Sequence, residues 1–117
     1  MLAIIDDDPA VVRAIGRLLR AAGYRVMTYP SGEDFLSSLP KARPDCVVLD
    51  LNMPDVSGYD VLAALAREPA RIPAIVVTAA QHPHLSAQLK KLGATACLGK
   101  PVDEKSLLQQ IKVIVRH

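Results

Sequence analysis

The sequence predicts a five-stranded, doubly wound α/β domain with a parallel sheet. Short apolar runs typical of buried strands alternate five times with stretches in which apolar residues recur at helical spacing. Gly and Pro close most of these segments. Strands joined by helices of this length require right-handed crossovers, which place helices on both faces of the sheet. A chain of 117 residues has the size of one domain, so we assign residues 1–117 to a single domain.

The first strand is predicted at Leu2–Ile5 and ends on three consecutive aspartates. The third of these, Asp8, stands before Pro9, and an N-cap carboxylate followed by Pro marks the start of a helix. Gly23 ends this helix, and a second strand is predicted within residues 24–29.

The second helix opens at Ser31, and Ser31 and Asp34 have the spacing of a capping box. This helix stops at Pro40. The third strand, Cys46–Asp50, is an apolar run that ends on a carboxylate and is followed by a turn rich in Pro and Gly. Ligands of open α/β sheets bind at such strand ends, so Asp50 is the leading candidate for chemistry.

Ser57 and Asp60 are predicted to cap the third helix, which ends before Pro69. Ala74–Thr78 is a continuous apolar run, typical of a strand covered on both faces. A fourth helix begins at Pro83.

The last strand is predicted at Thr95–Leu98, and Asp103 caps the final helix. The inward-facing residues of the last two helices repeat at helical spacing: Leu85, Leu89 and Leu92 in the fourth, and Leu107, Leu108, Ile111, Ile114 and Val115 in the fifth.

Composition excludes several classes of protein. The longest apolar runs are far too short to span a bilayer. No basic n-region precedes the first strand, so we expect no signal peptide and a cytoplasmic location. A net charge of +2 is too weak to indicate nucleic-acid binding. Cys46 and Cys97 lie in predicted buried strands without the spacing of metal ligands, so we expect reduced core cysteines.

Polar side chains stand at the ends of four predicted strands. Asp6 and Asp7 follow the first strand, Asp50 ends the third, Thr78 ends the fourth and Lys100 follows the fifth. Because the carboxyl ends of parallel strands share one edge, three carboxylates, a hydroxyl and an ammonium should converge there. A hard divalent cation such as Mg²⁺ relieves the repulsion among such carboxylates. With a nucleophilic carboxylate and the Lys and Thr donors, this set suits phosphoryl transfer.

Taken singly, these residues have ordinary structural roles. Asp8 is a helix cap, and Asp55 and Ser57 are typical turn or cap residues. Thr78 alone would be a strand-end hydroxyl and Lys100 a solvated charge. The functional interpretation therefore depends on their joint occurrence at one edge of the sheet.

Four linked motifs carry a resemblance that covers essentially the whole chain. They are Ile4–Asp8, Val48–Gly58, Val76–Ala79 and Gly99–Pro101. In their order and spacing the sequence resembles a receiver domain of the response regulators of two-component signalling. The resemblance implies the flavodoxin-like strand order 2-1-3-4-5, with the site at the topological switch point.

By that resemblance, Asp50 would accept a phosphoryl group from a phosphohistidine of a sensor histidine kinase or a histidine phosphotransfer protein. Asp6, Asp7, Asp50 and the backbone carbonyl of Asn52 would hold Mg²⁺ or Mn²⁺. Such a domain catalyses only its own phosphorylation and dephosphorylation.

The resemblance also implies roles for the donors at the neighbouring strand ends. Thr78 would bond a phosphoryl oxygen, and Lys100 would pair with the phosphoryl group. The Lys100-Pro101 peptide would be cis. Asn52 and Ala80 would flank the approach of the hydrolytic water.

One residue departs from the family pattern. Three residues before Lys100, where receivers commonly carry Tyr or Phe as a conformational switch, this chain has Cys97. The residue by which phosphorylation is usually reported to the face of the fourth helix, fifth strand and fifth helix is therefore altered. The same face could form a homodimer. The resemblance implies no direct contact with nucleic acid or membrane.

Three alternatives belong to other classes. A small phosphatase with an Asp nucleophile typically needs a second carboxylate where Asn52 stands. A flavodoxin-like cofactor binder needs a phosphate-cradling loop, but the segment Asp6–Pro9 has no Gly and the wrong charge. A degenerate receiver that acts only by protein contact is the main rival. Because the sequence shows no DNA-binding or enzymatic domain after residues 115–117, we expect either a stand-alone receiver or one excised from a longer protein.

Overall fold

The computed structural model describes residues 1–79 and 83–115, in which five strands alternate with five helices. The strands are β1 (Leu2–Ile5), β2 (Val26–Tyr29), β3 (Cys46–Asp50), β4 (Ala74–Thr78) and β5 (Ala96–Gly99). The helices are α1 (Pro9–Ala21), α2 (Gly32–Ser38), α3 (Gly58–Ala66), α4 (Pro83–Lys91) and α5 (Glu104–Ile114). None of the helices in these ranges is long and apolar enough to cross a membrane.

The strands form one parallel sheet in the order β2-β1-β3-β4-β5. This confirms the predicted doubly wound α/β class and its strand order. The register pairs Ile5 with Leu49, Asp50 with Val77 and Thr78 with Gly99. The carboxyl ends of four strands are therefore level with one another, and this edge of the sheet carries the candidate site.

Side chains of the central strands alternate between two hydrophobic cores. In β1, Ala3 and Ile5 face the core beneath α2, α3 and α4, where Phe35 is fully buried. Leu2 and Ile4 face the opposite core, which α1 and α5 cover. Burial on both faces explains why these strands are continuous apolar runs rather than alternating ones.

Side chains cap the helices largely as predicted. Asp8 accepts a hydrogen bond from the Ala10 amide at 3.0 Å, and Ser57 and Asp60 form a complete reciprocal capping box at α3. At α2 the structure records only one half of the predicted box, in which the Ser31 hydroxyl accepts from the backbone amide of Asp34 at 3.1 Å.

Three local predictions need correction. β5 runs one residue later than predicted, from Ala96 to Gly99. Cys97 is only partly buried, because β5 is an edge strand of the sheet formed by residues 1–79 and 83–115, whereas Cys46 is fully buried. Burial raises the pKa of the Cys46 thiol to about 12. Leu92 is 43% exposed, because α4 ends one residue before it.

Asp55, in the turn after β3, has a left-handed backbone with φ of 62°. This conformation costs an L-residue energy that Gly does not incur, although Asp tolerates it better than most residues. We expect Asp55→Gly to stabilise the fold by about 0.5 kcal/mol, net of the greater freedom of Gly in the unfolded chain. Urea unfolding checks this, with Asp55→Ala as the control that keeps the strain. A Gly variant no more stable than the Ala variant would rule out strain at this position.

Candidate functional site

The candidate site is assembled from the ends of neighbouring strands. Asp6 directly follows β1, Asp50 is the last residue of β3, and Lys100 directly follows β5. The Lys100 amide donates to the Thr78 carbonyl at 2.9 Å, which ties the residue after β5 to the end of β4. The parallel register thus brings together residues that are up to 94 positions apart in the sequence.

Among the described residues, three carboxylates and one ammonium meet at this edge. Asp6, Asp7 and Asp50 each place a carboxylate oxygen within 4.8 Å of the others. Lys100 Nζ lies 3.2 Å from Asp6 Oδ2 and 3.2 Å from Asp50 Oδ1, so a single ammonium bridges two carboxylates. Asp6 and Asp50 are buried at 4% and 6% exposure, whereas Asp7 is exposed. The cluster is thus open to solvent on the Asp7 side.

The electrostatics of the site oppose the ionised form of Asp50. Burial raises the pKa of the Asp50 carboxyl, and repulsion by Asp6 raises it further. The hydrogen bond and charge of Lys100, together with the Asn52 amide, offset only part of this effect. Burial works to lower the pKa of Lys100, but Asp6 and Asp50 outweigh it and raise that pKa above its ordinary value. Lys100 therefore remains an ammonium at neutral pH.

The donor set fits a hard divalent cation. Asp6, Asp7 and Asp50 offer only oxygen atoms, and the single ammonium of Lys100 leaves negative charge uncompensated. Mg²⁺ and Mn²⁺ prefer such oxygen ligands, and Mg²⁺ commonly keeps several waters beside one or two carboxylates. The open Asp7 side leaves room for those waters.

The remaining predicted site residues lie at the same edge. Thr78 is fully buried at the end of β4, and Asn52 is exposed two residues after Asp50. The Lys100-Pro101 peptide is cis, which confirms that prediction. Ala80, predicted beside the path of water, lies outside the described residues.

Two features of the site were not foreseen from the sequence. Asp6 Oδ1 accepts the Asp8 amide at 2.9 Å, so Asp6 is held by the turn that starts α1. Consecutive aspartates before a Pro are a signal for such a turn. The second feature is the bridging by Lys100 of both buried carboxylates, for which the sequence holds no signal beyond the shared edge.

The β3–α3 loop, residues 51–57, returns tightly against the end of β3. The Gly58 amide donates to the Leu51 carbonyl at 3.0 Å, and the Leu51 amide donates to the Val77 carbonyl at 3.2 Å. A Cβ at Gly58 would lie 2.6 Å from the Asp50 carbonyl oxygen and 2.7 Å from Leu51 Cα. This approach leaves no room for a side chain at Gly58, so the start of α3 touches the strand end that presents Asp50.

Comparisons with known proteins agree with this architecture. The family model of the response regulator receiver domain matches residues 2–112. The response regulator protein TmoT of Ectopseudomonas mendocina is 33% identical over 116 residues, which cover 99% of this chain and 53% of the relative. The transcriptional regulatory protein KdpE of Mycobacterium tuberculosis is 34% identical over 117 residues, covering 100% of this chain and 51% of the relative.

A solved structure shares the fold closely. The chemotaxis response regulator CheY4 of Vibrio cholerae superposes with a TM-score of 0.89 at 28% identity, covering 97% of each chain. The chain spans about half the length of the curated relatives it matches, at 53% of TmoT and 51% of KdpE. The similarity therefore concerns one domain of those longer proteins.

Proposed function

The chain belongs to the response regulator receiver domain family, and from this membership we propose that it accepts a phosphoryl group on Asp50. The donor would be a phosphohistidine of a sensor histidine kinase or a histidine phosphotransfer protein. The observation that carries the proposal is the contact of Lys100 Nζ with Asp50 Oδ1 and Asp6 Oδ2, both at 3.2 Å, at the carboxyl edge of the sheet.

In the proposed reaction, an Asp50 carboxylate oxygen attacks the phosphorus. The phosphorus–nitrogen bond of the donor breaks and its electron pair stays on the imidazole nitrogen. That nitrogen takes up one proton from solvent, so the imidazole leaves in its neutral form. Lys100, already held between two carboxylates, would pair with the incoming phosphoryl oxygens. The Thr78 hydroxyl would donate to another of these oxygens.

Asp6, Asp7, Asp50 and the backbone carbonyl of Asn52 would hold the divalent cation, Mg²⁺ or Mn²⁺. When bound, the cation supplies positive charge that offsets the charge on the transferred oxygens. This assignment rests on the oxygen-only donor set and on the uncompensated charge of the three carboxylates.

Incubation with a small phosphodonor and Mg²⁺, followed by intact mass measurement, tests the proposal. We expect the protein to gain one phosphoryl group, which chelator prevents and Asp50→Asn abolishes. An unmodified wild-type protein would instead favour the phosphorylation-independent interaction module. An adduct that persists in Asp50→Asn would place the acceptor elsewhere.

The wider role follows from the same proposal. The domain would catalyse only its own phosphorylation and dephosphorylation, and it would act in the cytoplasm, where sensor kinases present their phosphohistidine. A homodimer through the face of α4, β5 and α5 stays a prediction.

Cys97 bears on how phosphorylation is reported to that face. It is half-buried on edge strand β5 and packs against the core beneath α2, α3 and α4. An aromatic ring that turns inward buries apolar surface on the order of 100 Å² or more. The thiol side chain of Cys97 is too small to bury that much surface. A population shift requires a difference in interaction energy between two states. We therefore expect phosphorylation to change the face of α4, β5 and α5 only modestly, and we expect Cys97→Tyr to enlarge that change.

Amide chemical shifts with and without a phosphoryl mimic measure this response in both proteins. Cys97→Ser is the matched control, since it changes the chemistry but not the size of the side chain. A large wild-type response across α4 and β5, undiminished relative to Cys97→Tyr, would show that another element is the switch.

A further inference from the structure

The first residue of α2 has no space for a side chain. Gly32 is buried, and a Cβ built on it would lie 2.9 Å from Val56 Cγ1, 2.9 Å from Val61 Cγ2 and 3.0 Å from the Val56 carbonyl oxygen. Carbon atoms in favourable contact lie about 3.5–4.0 Å apart. Any side chain at Gly32 would therefore displace Val56, Val61 or α2 itself.

Backbone conformation does not explain this glycine. Gly32 does not have a positive φ, unlike Gly23 and Gly93, whose φ values are 96° and 112°. Within a helix, Ala is favoured over Gly by about 1 kcal/mol. The shape of the neighbouring segment, rather than the local backbone, is thus what requires the absence of a side chain.

That neighbouring segment is the β3–α3 loop. Val56 packs against the core, and Met53 is buried in the same core. The loop is closed at its base by the hydrogen bond from the Gly58 amide to the Leu51 carbonyl. The loop is short and held at both ends. A displacement of Val56 is therefore taken up by the other residues of the loop, which include Asn52.

We propose that Gly32 is a positioning residue for the cation site. The absence of a side chain at the start of α2 lets Val56 approach closely, and this contact fixes the β3–α3 loop. The loop in turn holds the Asn52 backbone next to Asp50, where the Asn52 amide donates to the Asp50 carboxylate. The inference rests on the proposed function, because it assigns Asn52 to the cation. It extends that function to a residue on α2, outside the strand ends that form the site.

The test compares two glycines that differ in what surrounds them. Gly16 lies within α1, and the nearest atom to a Cβ there is Arg20 Nη1 at 3.1 Å, the far end of a flexible side chain. Gly16→Ala is therefore the matched control for Gly32→Ala. The dissociation constant for Mg²⁺ is measured by titration at a temperature where circular dichroism shows all variants folded, alongside the rate of labelling by a small phosphodonor.

We expect Gly32→Ala to weaken Mg²⁺ binding about 10-fold, the typical effect of removing a group that orients a metal ligand. The labelling rate at subsaturating Mg²⁺ should fall by a similar factor. Gly16→Ala should leave both within about twofold of wild type, because the Arg20 side chain can move aside.

A double-mutant cycle with Val56→Ala separates positioning from stability. Val56→Ala removes one of the two 2.9 Å contacts, so the double variant should recover part of the Mg²⁺ affinity lost in Gly32→Ala. Should Gly32→Ala not fold, Val56→Ile crowds the same contact from the loop side and should weaken Mg²⁺ binding by itself.

The outcomes distinguish this inference from the proposed function. If wild type binds Mg²⁺ and is labelled, but Gly32→Ala matches Gly16→Ala in both readouts, Gly32 has no positioning role. A lower melting temperature with unchanged Mg²⁺ affinity would likewise reduce it to a packing residue. If the wild-type protein neither binds Mg²⁺ nor is labelled, it is the proposed function that fails.

Discussion

Replacing Asp50 with Asn is expected to raise the melting temperature of the metal-free protein and to weaken its binding of Mg²⁺. Asp6 and Asp50 are both buried, and Lys100 is the ammonium shared between them at 3.2 Å from each. Asn removes one charge from this pair but keeps an oxygen that can accept from Lys100. We expect a rise of about 5 °C, which corresponds to about 1 kcal/mol in a domain of this size.

The pH dependence of this difference has a definite sign. Because burial and Asp6 raise the pKa of Asp50, the folded protein holds that proton more tightly than the unfolded chain does. Stability therefore falls as pH rises from the unfolded to the folded pKa, and the penalty is complete above the folded value. The advantage of Asp50→Asn should be largest at neutral pH and should vanish below about pH 4.

Asp7→Asn is the control, since it makes the same chemical change at the exposed member of the cluster. It should weaken Mg²⁺ binding with little effect on the melting temperature in chelator, because an exposed carboxylate is solvated by water. Equal melting of wild type and Asp50→Asn in chelator would count against repulsion at the site. Unchanged Mg²⁺ affinity in both variants would count against the cation site itself.

The Gly58→Ala substitution is expected to destabilise the fold more than any other single methyl addition discussed above. The new Cβ would lie 2.6 Å from the Asp50 carbonyl oxygen and 2.7 Å from Leu51 Cα, and both are backbone atoms of the sheet edge. Backbone in the central strand cannot move aside as a side chain does, so the strain is taken up by the β3 end or by α3. A loss of about 3 kcal/mol is expected.

Urea unfolding measures this loss, again with Gly16→Ala as the control. In the variant that remains folded, labelling of Asp50 by a small phosphodonor should also fall, because the displaced atoms belong to the acceptor itself and its neighbour. A Gly58→Ala protein as stable as Gly16→Ala would mean that α3 can shift away from β3 without cost.

The sequence alone determined the order and type of the elements. Apolar runs such as Ala74–Thr78 and caps such as Asp103 are local signals, and both are found where they were predicted. The convergence of Asp6, Asp50 and Lys100 was also predictable, because parallel strands share one carboxyl edge regardless of the details of packing. Which residues meet at the candidate site thus follows from the topology.

Only the tertiary structure decided the features that depend on distances between elements. Lys100 bridges two carboxylates rather than one, Gly32 leaves room for Val56, and Cys97 is half-buried because its strand lies at the edge. None of these leaves a pattern in the local sequence. The physical reason is that periodicity and capping report the short-range preferences of the chain, whereas contacts between segments far apart in sequence are set by how the completed layers pack.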